Sequence, residues 1–240
     1  MGINNIETLL KEFNTEKLSL NTGEKLLFRG QNVDKDLLPK AFREDKKFND
    51  EELFNDFKLR SIPYLNTAID ISNDFDILTT AQHYGLKTRL LDWTENPLVA
   101  IFFAMAGAKD EEIPVLFKMK ISENDIINPY AKEIMLFANK KEVKFFKPKS
   151  IDNRIDIQSA WFSKHDRYEN NPRKIDINGA CKKYTLQNNE EAIRKSLDYL
   201  NMLGINQFTL FPGLGTLATL LNKEEYNPMK SRQGILSISS

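Results

Sequence analysis

The sequence predicts an α+β protein in which a helical N-terminal part precedes a mixed β-sheet. Apolar residues recur at helical spacing in "NNIETLLKEFN", residues 4–14. Apolar stretches of strand length follow, "EKLLFRG" at 24–30 and "IPVLFKMKI" at 113–121, and the segments between them are unequal in length. No repeat or low-complexity linker interrupts the chain. We therefore expect one domain over residues 1–230 and a flexible tail over 231–240.

The helices are predicted from apolar spacing and from capping residues. The first helix would bury one face, formed by Ile6, Leu9, Leu10 and Phe13. A second helix is expected over about 49–60, and residues 63–82 predict more helix ending near Gly85. Asn96 is a suitable N-cap and Pro97 suits the first turn of the next helix. That helix is apolar on every face, which predicts a buried position.

Four segments are predicted as strands after residue 110. In residues 113–121 apolar residues alternate with lysines toward the end, as in a half-buried strand. The other three are "RIDIQSAWF" (154–162), "KKYTL" (182–186) and "INQFTLF" (205–211). A helix between the last two is predicted by the spacing of Ile193, Leu197, Leu200 and Leu203.

Composition excludes several classes of function. Lys+Arg and Asp+Glu are both 34, so the net charge of zero argues against a general nucleic-acid coat and against binding to an anionic membrane. Cys181 is the only cysteine, which excludes an internal disulfide and a thiolate metal cluster. His83 and His165 lack ligand-spaced companions, so we expect no metal. No signal-like N-terminus or apolar run of spanning length is present, and we expect a cytoplasmic protein.

Polar residues lie beside the predicted buried helix in "AQHYGLKTRLLDWTENPLVAIFFA", residues 81–104. A buried Arg89 or Asp92 would be costly without a partner, so one interpretation pairs them with each other or with backbone groups. The alternative is that this turn lines a cleft and presents side chains to a ligand, namely Thr88, Arg89, Asp92 and Thr94. His83 has the same two interpretations, as a hydrogen-bonded structural residue or as a ligand-binding one.

A second polar group closes the first strand, in "FRGQ" at residues 28–31. Arg29 precedes Gly30, which lets the backbone turn or a ligand approach closely. A guanidinium at this position suits a planar anion such as a diphosphate or a carboxylate. The alternative is a salt bridge that closes the strand.

Together the two motifs closely resemble the FRG domain family. Residues 82–94 match the family run Q-H-Y-G-L-x-T-R-L-L-D-W-T at every fixed position, and "FRGQ" matches the motif that names the family. Looser matches are "RIDIQSAWF", with Ala160 in place of the usual glycine, and "INQFTLFPGLGTLATLL", with Gly213 in place of an acidic residue. The resemblance covers about residues 22–221. Because many family members are bacterial or phage-associated, it implies such an origin and a role in phage defence or as a toxin.

A weaker resemblance is to the ADP-ribosyltransferase fold, which opens with a strand ending in aromatic-Arg-Gly. "LLFRGQ" resembles that strand, and "TRLLDWTENPLVAIFFA" resembles the second strand and its helix. The resemblance implies NAD as substrate, with Arg29 on the diphosphate and Tyr84 or Trp93 stacked on nicotinamide. The implied NAD-binding residues are Arg29, Gln31, His83, Tyr84, Thr88, Arg89, Trp93 and Thr94.

The implied catalytic residues are Arg29, Asp92 and Gln158. Gln158 stands where the fold would place a glutamate, and a neutral amide cannot supply the charge that stabilises an oxocarbenium-like state. Asp92 and Asp156 are the candidate replacements.

Two alternatives to a transferase remain open, a non-catalytic nucleotide sensor and a nucleic-acid-binding module. The second rests on "NKKEVKFFKPKS" (139–150), where lysines alternate with Phe145 and Phe146 as in proteins that contact a nucleic-acid backbone and stack its bases. A protein or nucleic-acid acceptor could dock at the same lysines, which are Lys140, Lys141, Lys144, Lys147 and Lys149. A solvated loop with two packed phenylalanines explains the pattern equally. No G-x-S-x-G motif supports a hydrolase.

Overall fold

A computed structural model describes residues 3–43, 48–65, 67–109, 112–138, 140, 142–168, 171–172, 175 and 179–223. The predicted tail, residues 231–240, and Lys141 lie outside the described residues. Within the described ranges, no helix combines the length and the apolarity needed to cross a bilayer.

The predicted α+β class is confirmed. The helices are α1 (Ile3–Leu18), α2 (Lys40–Arg43), α3 (Asp50–Ser61), α4 (Asp74–His83), α5 (Pro97–Met105), α6 (Asn153–Ile157), α7 (Glu190–Met202), α8 (Gln207–Leu210) and α9 (Leu214–Lys223). The strands are β1 (Lys25–Gln31), β2 (Leu90–Thr94), β3 (Val115–Ile121), β4 (Val143–Phe146), β5 (Ala160–His165), β6 (Arg167–Tyr168), β7 (Asn171–Pro172) and β8 (Cys181–Thr185).

Six of these strands form one sheet in the order β4-β5-β2-β1-β3-β8, and β6 pairs with β7 separately. Neighbouring strands of the sheet are antiparallel, while an isolated parallel bridge joins Ile126 to Phe145. The central strand β1 is fully paired with β3 but meets β2 at a single residue pair, Phe28 with Thr94. The β1–β2 junction is therefore the weakest seam of the sheet.

Both faces of the sheet are covered. On one face α1, α5 and α7 pack against β1 and β3 around Phe13, Phe28 and Leu116. Residues on the opposite face, among them Trp93 and Phe117, form a second apolar cluster. Leu116 and Phe117 are both buried, so β3 is not the half-buried strand predicted from its lysines.

Helix α5 has the predicted cap and the predicted burial. The side chain of Asn96 accepts a hydrogen bond from the Leu98 amide at 3.0 Å, and Pro97 occupies the first turn. Its backbone lies directly on β1, because a Cβ atom added to Gly30 would stand 1.8 Å from the carbonyl oxygen of Ala100. Gly30 therefore serves helix packing, whereas the sequence suggested a turn or a ligand approach.

Two predicted strands are wrong in the same way. The start of 154–162 is helical, because the Asp152 side chain accepts from the Arg154 amide at 2.8 Å and caps α6; the strand begins only at Ala160. The segment 205–211 contains α8, since Asn206 and Thr209 form a capping box. Local capping thus outweighs β-branched and aromatic composition at both places.

The predicted continuous helix over 63–82 is also wrong. Residues Ile62–Tyr64 form a short 3₁₀ helix, and the described residues 65 and 67–72 are irregular. The side chain of Asn73 then accepts from the amides of Phe75 and Asp76. Because Asn73 caps a helix of its own, α4 begins at Asp74 as a separate element. As a result α4 is short, and its C-terminal residues, Gln82 and His83, reach the edge of a cleft.

Candidate functional site

A cleft of about 500 Å³ opens beside the short β1–β2 pairing. Its walls come from the ends of β1 and β2, the C-terminus of α4, helix α6, and the turn that contains Phe211. The volume is within the range of small-molecule and cofactor sites. The weakest seam of the sheet is thus the place where a ligand can enter.

Arg29 reaches across this seam from β1 to β2. Its Nη1 donates a hydrogen bond to the backbone carbonyl of Asp92 at 2.7 Å and lies 3.4 Å from Asp92 Oδ2. Its Nε donates to Gln31 Oε1 at 3.4 Å, and Gln31 in turn donates to the carbonyl of Lys35 at 2.9 Å. These hydrogen bonds hold the guanidinium at a defined position on the cleft wall, beside Asp92 of the 82–94 motif.

Asp92 supplies a carboxylate to the same cleft. Its side chain is 64 % exposed, and its Oδ1 accepts a hydrogen bond from Gln82 Nε2 at 2.8 Å. Sequence reasoning assigned no role to Gln82, although it begins the 82–94 motif. The signal in the sequence was that Gln82 stands ten residues before Asp92. This spacing indicates a contact only in the folded chain, where Gln82 on α4 and Asp92 on β2 come together.

Cations outnumber carboxylates among the cleft residues. Arg29, Lys35, Arg43 and Arg154 line it, against Asp92 and Asp152. Burial lowers the pKa of Arg29 from its ordinary value; the Asp92 carboxylate opposes this shift, and the positive charge of Arg43 adds to it. An arginine nevertheless stays protonated in proteins. The surplus of positive charge in a concave site favours an anionic ligand.

His83 and Tyr84 stand at the end of α4. His83 Nε2 lies 3.6 Å from Asp152 Oδ2, and its ring meets that of Tyr84 edge-on, with centroids 5.0 Å apart. Tyr84 is 77 % exposed, so its ring is available at the cleft mouth. His83 therefore joins the end of α4 to the start of α6, and Tyr84 beside it leaves an aromatic surface open to solvent.

Thr94 and Gln158 also line the cleft, but their polar atoms are used internally. The Thr94 hydroxyl donates to the carbonyl of Gln158 at 2.6 Å and accepts from the Asn96 amide. Gln158 Nε2 donates to the carbonyl of Leu210 at 2.9 Å, which fastens α6 to α8. We infer that both residues position the wall on which Phe211 lies.

Three other members of the predicted set offer little to a ligand. Thr88 and Arg89 lie outside the cleft lining; the Thr88 hydroxyl donates to Gln82 Oε1, and Arg89 Nε donates to Asp50 Oδ2 at 2.7 Å. The interpretation that Arg89 pairs with Asp92 is therefore wrong. Trp93 is 2 % exposed and its indole donates to Ser163 at 2.9 Å, so the ring has no free face for nicotinamide.

The lysine-rich segment lacks the surface that base stacking would need. Phe145 and Phe146 are fully buried in β4, one facing Trp93 and the other facing Phe75. Lys144 donates to the carbonyl of Asn124 at 2.8 Å. The described lysines of the segment are Lys140, Lys144, Lys147 and Lys149. In the part of the chain that the structure describes, no group of three His, Cys, Asp or Glu side chains could hold a metal ion.

The fold and the cleft define an α+β protein with a cation-lined cleft beside the β1–β2 pairing. Residues 24–112 match the family model described as FRG domain. The matched span contains Arg29, Gln82 and Asp92, whereas α6 and Phe211 lie beyond it. No curated protein and no solved structure matches the chain.

Proposed function

We propose that the cleft binds NAD or a related dinucleotide and that the FRG domain supplies the diphosphate site. One observation carries the proposal: the Arg29 guanidinium is held on the cleft wall by the backbone of Asp92 and by Gln31. Arg43 also lines the cleft, where its Nε donates to the carbonyl of Leu38 at 2.8 Å and, within the described ranges, its two terminal nitrogens remain for a ligand. Two guanidinium groups that face one cavity suit a diphosphate, which each can bind through paired hydrogen bonds.

The aromatic groups of the cleft support a dinucleotide over a simple anion. Tyr84 is exposed at the mouth, and Phe103 and Phe211 contact each other edge-on within the lining, at 5.7 Å between ring centroids. Such rings provide stacking surface for a base or for nicotinamide. Tyr84, and not Trp93, is the member of the predicted pair that is free to stack.

For catalysis the proposal assigns the ribose carboxylate to Asp92. The carboxylate would stabilise the positive charge that develops on the ribose, as carboxylates do in glycoside hydrolysis. The bond between C1′ and the nicotinamide nitrogen breaks, and nicotinamide leaves as a neutral molecule with the bonding electron pair. The oxygen of water or of an acceptor hydroxyl then bonds to C1′ and releases its proton to solvent.

A non-catalytic nucleotide sensor is the second candidate, and the hydrogen bonds of Asp92 favour it. The Asp92 side chain already accepts from Gln82 and lies against Arg29. A carboxylate occupied in this way can hold a ribose hydroxyl without stabilising an oxocarbenium-like state. The two candidates share the binding step and differ only in turnover.

Calorimetric titration of NAD into the wild-type protein and Arg29→Gln tests the binding step. Arg60→Gln is the matched control, because Arg60 is 77 % exposed and pairs with Asp56 on α3. We expect saturable binding to the wild type and the control, and at least about tenfold weaker binding to Arg29→Gln, equivalent to about 1.4 kcal/mol. Absence of binding of NAD and of related dinucleotides to the wild type would refute the proposal.

Chromatographic detection of released nicotinamide then separates the enzyme from the sensor. An enzyme would release nicotinamide from NAD, and Asp92→Asn would suppress the release while keeping NAD binding. A sensor would bind NAD and return it intact. Binding without release, in the presence of water and of added protein and RNA acceptors, would decide for the sensor.

A further inference from the structure

The part of the cleft formed by α6 carries a cation that no part of the proposed diphosphate site uses. Arg154 lies on α6, half-buried, with its guanidinium 5.6 Å from the centre of the Phe211 ring. Among the described residues it has no ion-pair partner, and its guanidinium donates no hydrogen bond. A half-buried guanidinium with five free N–H donors is a group to which a ligand can supply hydrogen-bond acceptors.

The position of Arg154 is fixed by its surroundings. Asp152 Oδ1 accepts from the Arg154 amide at 2.8 Å, which anchors the start of α6. Gln158 ties α6 to the carbonyl of Leu210 and thereby keeps Phe211 beneath the guanidinium. Stacking on an aromatic ring restricts an arginine side chain, so that less conformational entropy is lost when it binds.

Arg154 is separate from the Arg29 group. Arg29 on β1 is bonded to Asp92 on β2, and Arg43 is on α2, whereas Arg154 is on α6 and lies over Phe211. The cleft therefore has two cationic positions, one beside Asp92 and one above Phe211. A ligand that fills both needs an anionic group in addition to its diphosphate.

We propose that Arg154 binds a third phosphate and that the cleft prefers a 2′-phosphorylated dinucleotide, NADP, to NAD. This inference rests on the proposed function, since it extends the same cleft. Phe211 and Phe103 would lie beside the base, and the Arg154 fork would hold the phosphate on the neighbouring ribose. Guanidinium groups suit phosphate because two parallel N–H donors meet two oxygens.

The test is calorimetric titration of NAD and NADP into the wild type, Arg154→Gln and Arg154→Lys. Arg194→Gln serves as the matched control, because Arg194 is 66 % exposed on α7 and pairs with Asp198. We expect the wild type and the control to bind NADP at least about tenfold more tightly than NAD. Arg154→Gln should remove that preference and change NAD affinity less than about twofold, and Arg154→Lys should restore part of it, since lysine keeps the charge and loses the fork.

The outcomes separate this inference from the function on which it rests. Equal affinity for NAD and NADP in the wild type, or a preference that survives Arg154→Gln, overturns the role of Arg154 and leaves the Arg29 site in place. Failure of both dinucleotides to bind the wild type overturns both. Circular dichroism melting of each variant shows whether the loss of Arg154 has unfolded α6. If Arg154→Gln has a lower melting temperature than the wild type, the NADP preference of Arg154→Lys still tests the role of the guanidinium.

Discussion

Arg29 is fastened to the backbone of Asp92 more closely than to its side chain: Nη1 lies 2.7 Å from the carbonyl oxygen and 3.4 Å from Oδ2. The arginine therefore keeps its principal partner when the carboxylate is changed. The Asp92 side chain is mostly exposed, whereas Arg29 is only 14 % exposed, so a neutral residue at position 92 removes a nearby charge from Arg29 but leaves its hydrogen bond to the backbone in place. A substitution of the Asp92 side chain can therefore test its chemical role while Arg29 stays bonded to the backbone.

Asp92→Asn should accordingly leave the fold intact and reduce turnover. We expect the free energy of unfolding to change by about 1 kcal/mol, because Arg29 keeps its 2.7 Å hydrogen bond to the Asp92 carbonyl and loses only the longer contact with the carboxylate. Asparagine retains an oxygen that can accept from Gln82 but lacks the charge that would stabilise the ribose cation. Urea denaturation measures the first effect and nicotinamide release the second. Loss of stability by several kcal/mol would show that the carboxylate is structural.

The opposite result is expected at Arg89. Its side chain is 5 % exposed, forms an ion pair with Asp50 at 2.7 Å, and has its guanidinium 4.2 Å from the centre of the Phe137 ring. Removing one partner of a buried pair leaves an uncompensated charge, so Arg89→Ala should cost about 3–5 kcal/mol. Urea denaturation of Arg89→Ala beside Arg60→Ala tests this. Equal midpoints for the two variants would contradict a structural role for Arg89.

The same two interpretations apply to Arg89 and Asp92 in the sequence, whereas the structure places them in different surroundings. Both stand in one short motif beside a buried helix. Arg89, just before β2, pairs with Asp50 of α3, whereas Asp92, within β2, lines the cleft. Motif matching could not distinguish them, because Asp50 lies 39 residues away and outside the motif. The expectation that each buried charge finds a partner was sound; the identity of each partner depends on tertiary structure.

Much of the fold was predictable where local signals agreed. Asn96, Pro97 and the apolar run after them predict α5 correctly, because cap, first turn and burial all favour the same helix. Prediction failed at α6 and α8, where side chains of strand-forming type occupy short helices that their caps define. These two helices build the wall that carries Arg154 and Phe211. Of the residues that line the cleft on that wall, the sequence predicted only Gln158 as part of a site and no role for Arg154 or Phe211.

A pH-dependent contribution to stability is expected where α1 meets the sheet. Burial acts to raise the pKa of Glu12, but hydrogen bonds from Tyr184, Lys182 and Lys118 outweigh it and lower that pKa to about 2. A carboxyl group with a lowered pKa in the folded state stabilises the fold above its unfolded pKa, and this contribution is lost as the pH falls from about 4.5 to about 2.

Glu12→Gln should therefore reduce stability at neutral pH and flatten its acid dependence. Melting temperatures measured by circular dichroism between pH 7 and pH 2.5 test this. We expect the difference between the wild type and Glu12→Gln to be largest near pH 7 and to shrink below pH 4. Glu7→Gln, on the same helix, is a control of similar chemistry. A difference that stays constant across the range would contradict the assignment.

The last prediction concerns the contact that sets the position of the cleft. Gly30 faces the backbone of α5, and an added Cβ would lie 1.8 Å from the carbonyl oxygen of Ala100 and 2.6 Å from the amide nitrogen of Ala104. Backbone atoms cannot rotate away as a side chain can, so Gly30→Ala must move the helix or the strand. Because Arg29 and Gln31 flank Gly30 on β1, that movement also displaces the Arg29 guanidinium from Asp92.

We expect Gly30→Ala to cost at least about 3 kcal/mol, at the upper end of the range for overpacked cores. Gly179→Ala is the matched control, because a Cβ there would meet nothing within 4 Å, and its free energy of unfolding should stay within about 0.5 kcal/mol of the wild type. If Gly30→Ala still folds, as judged by circular dichroism, NAD affinity should fall with it. A variant as stable as the wild type that binds NAD normally would show that α5 does not fix the cleft, and the role of this glycine would have to lie elsewhere.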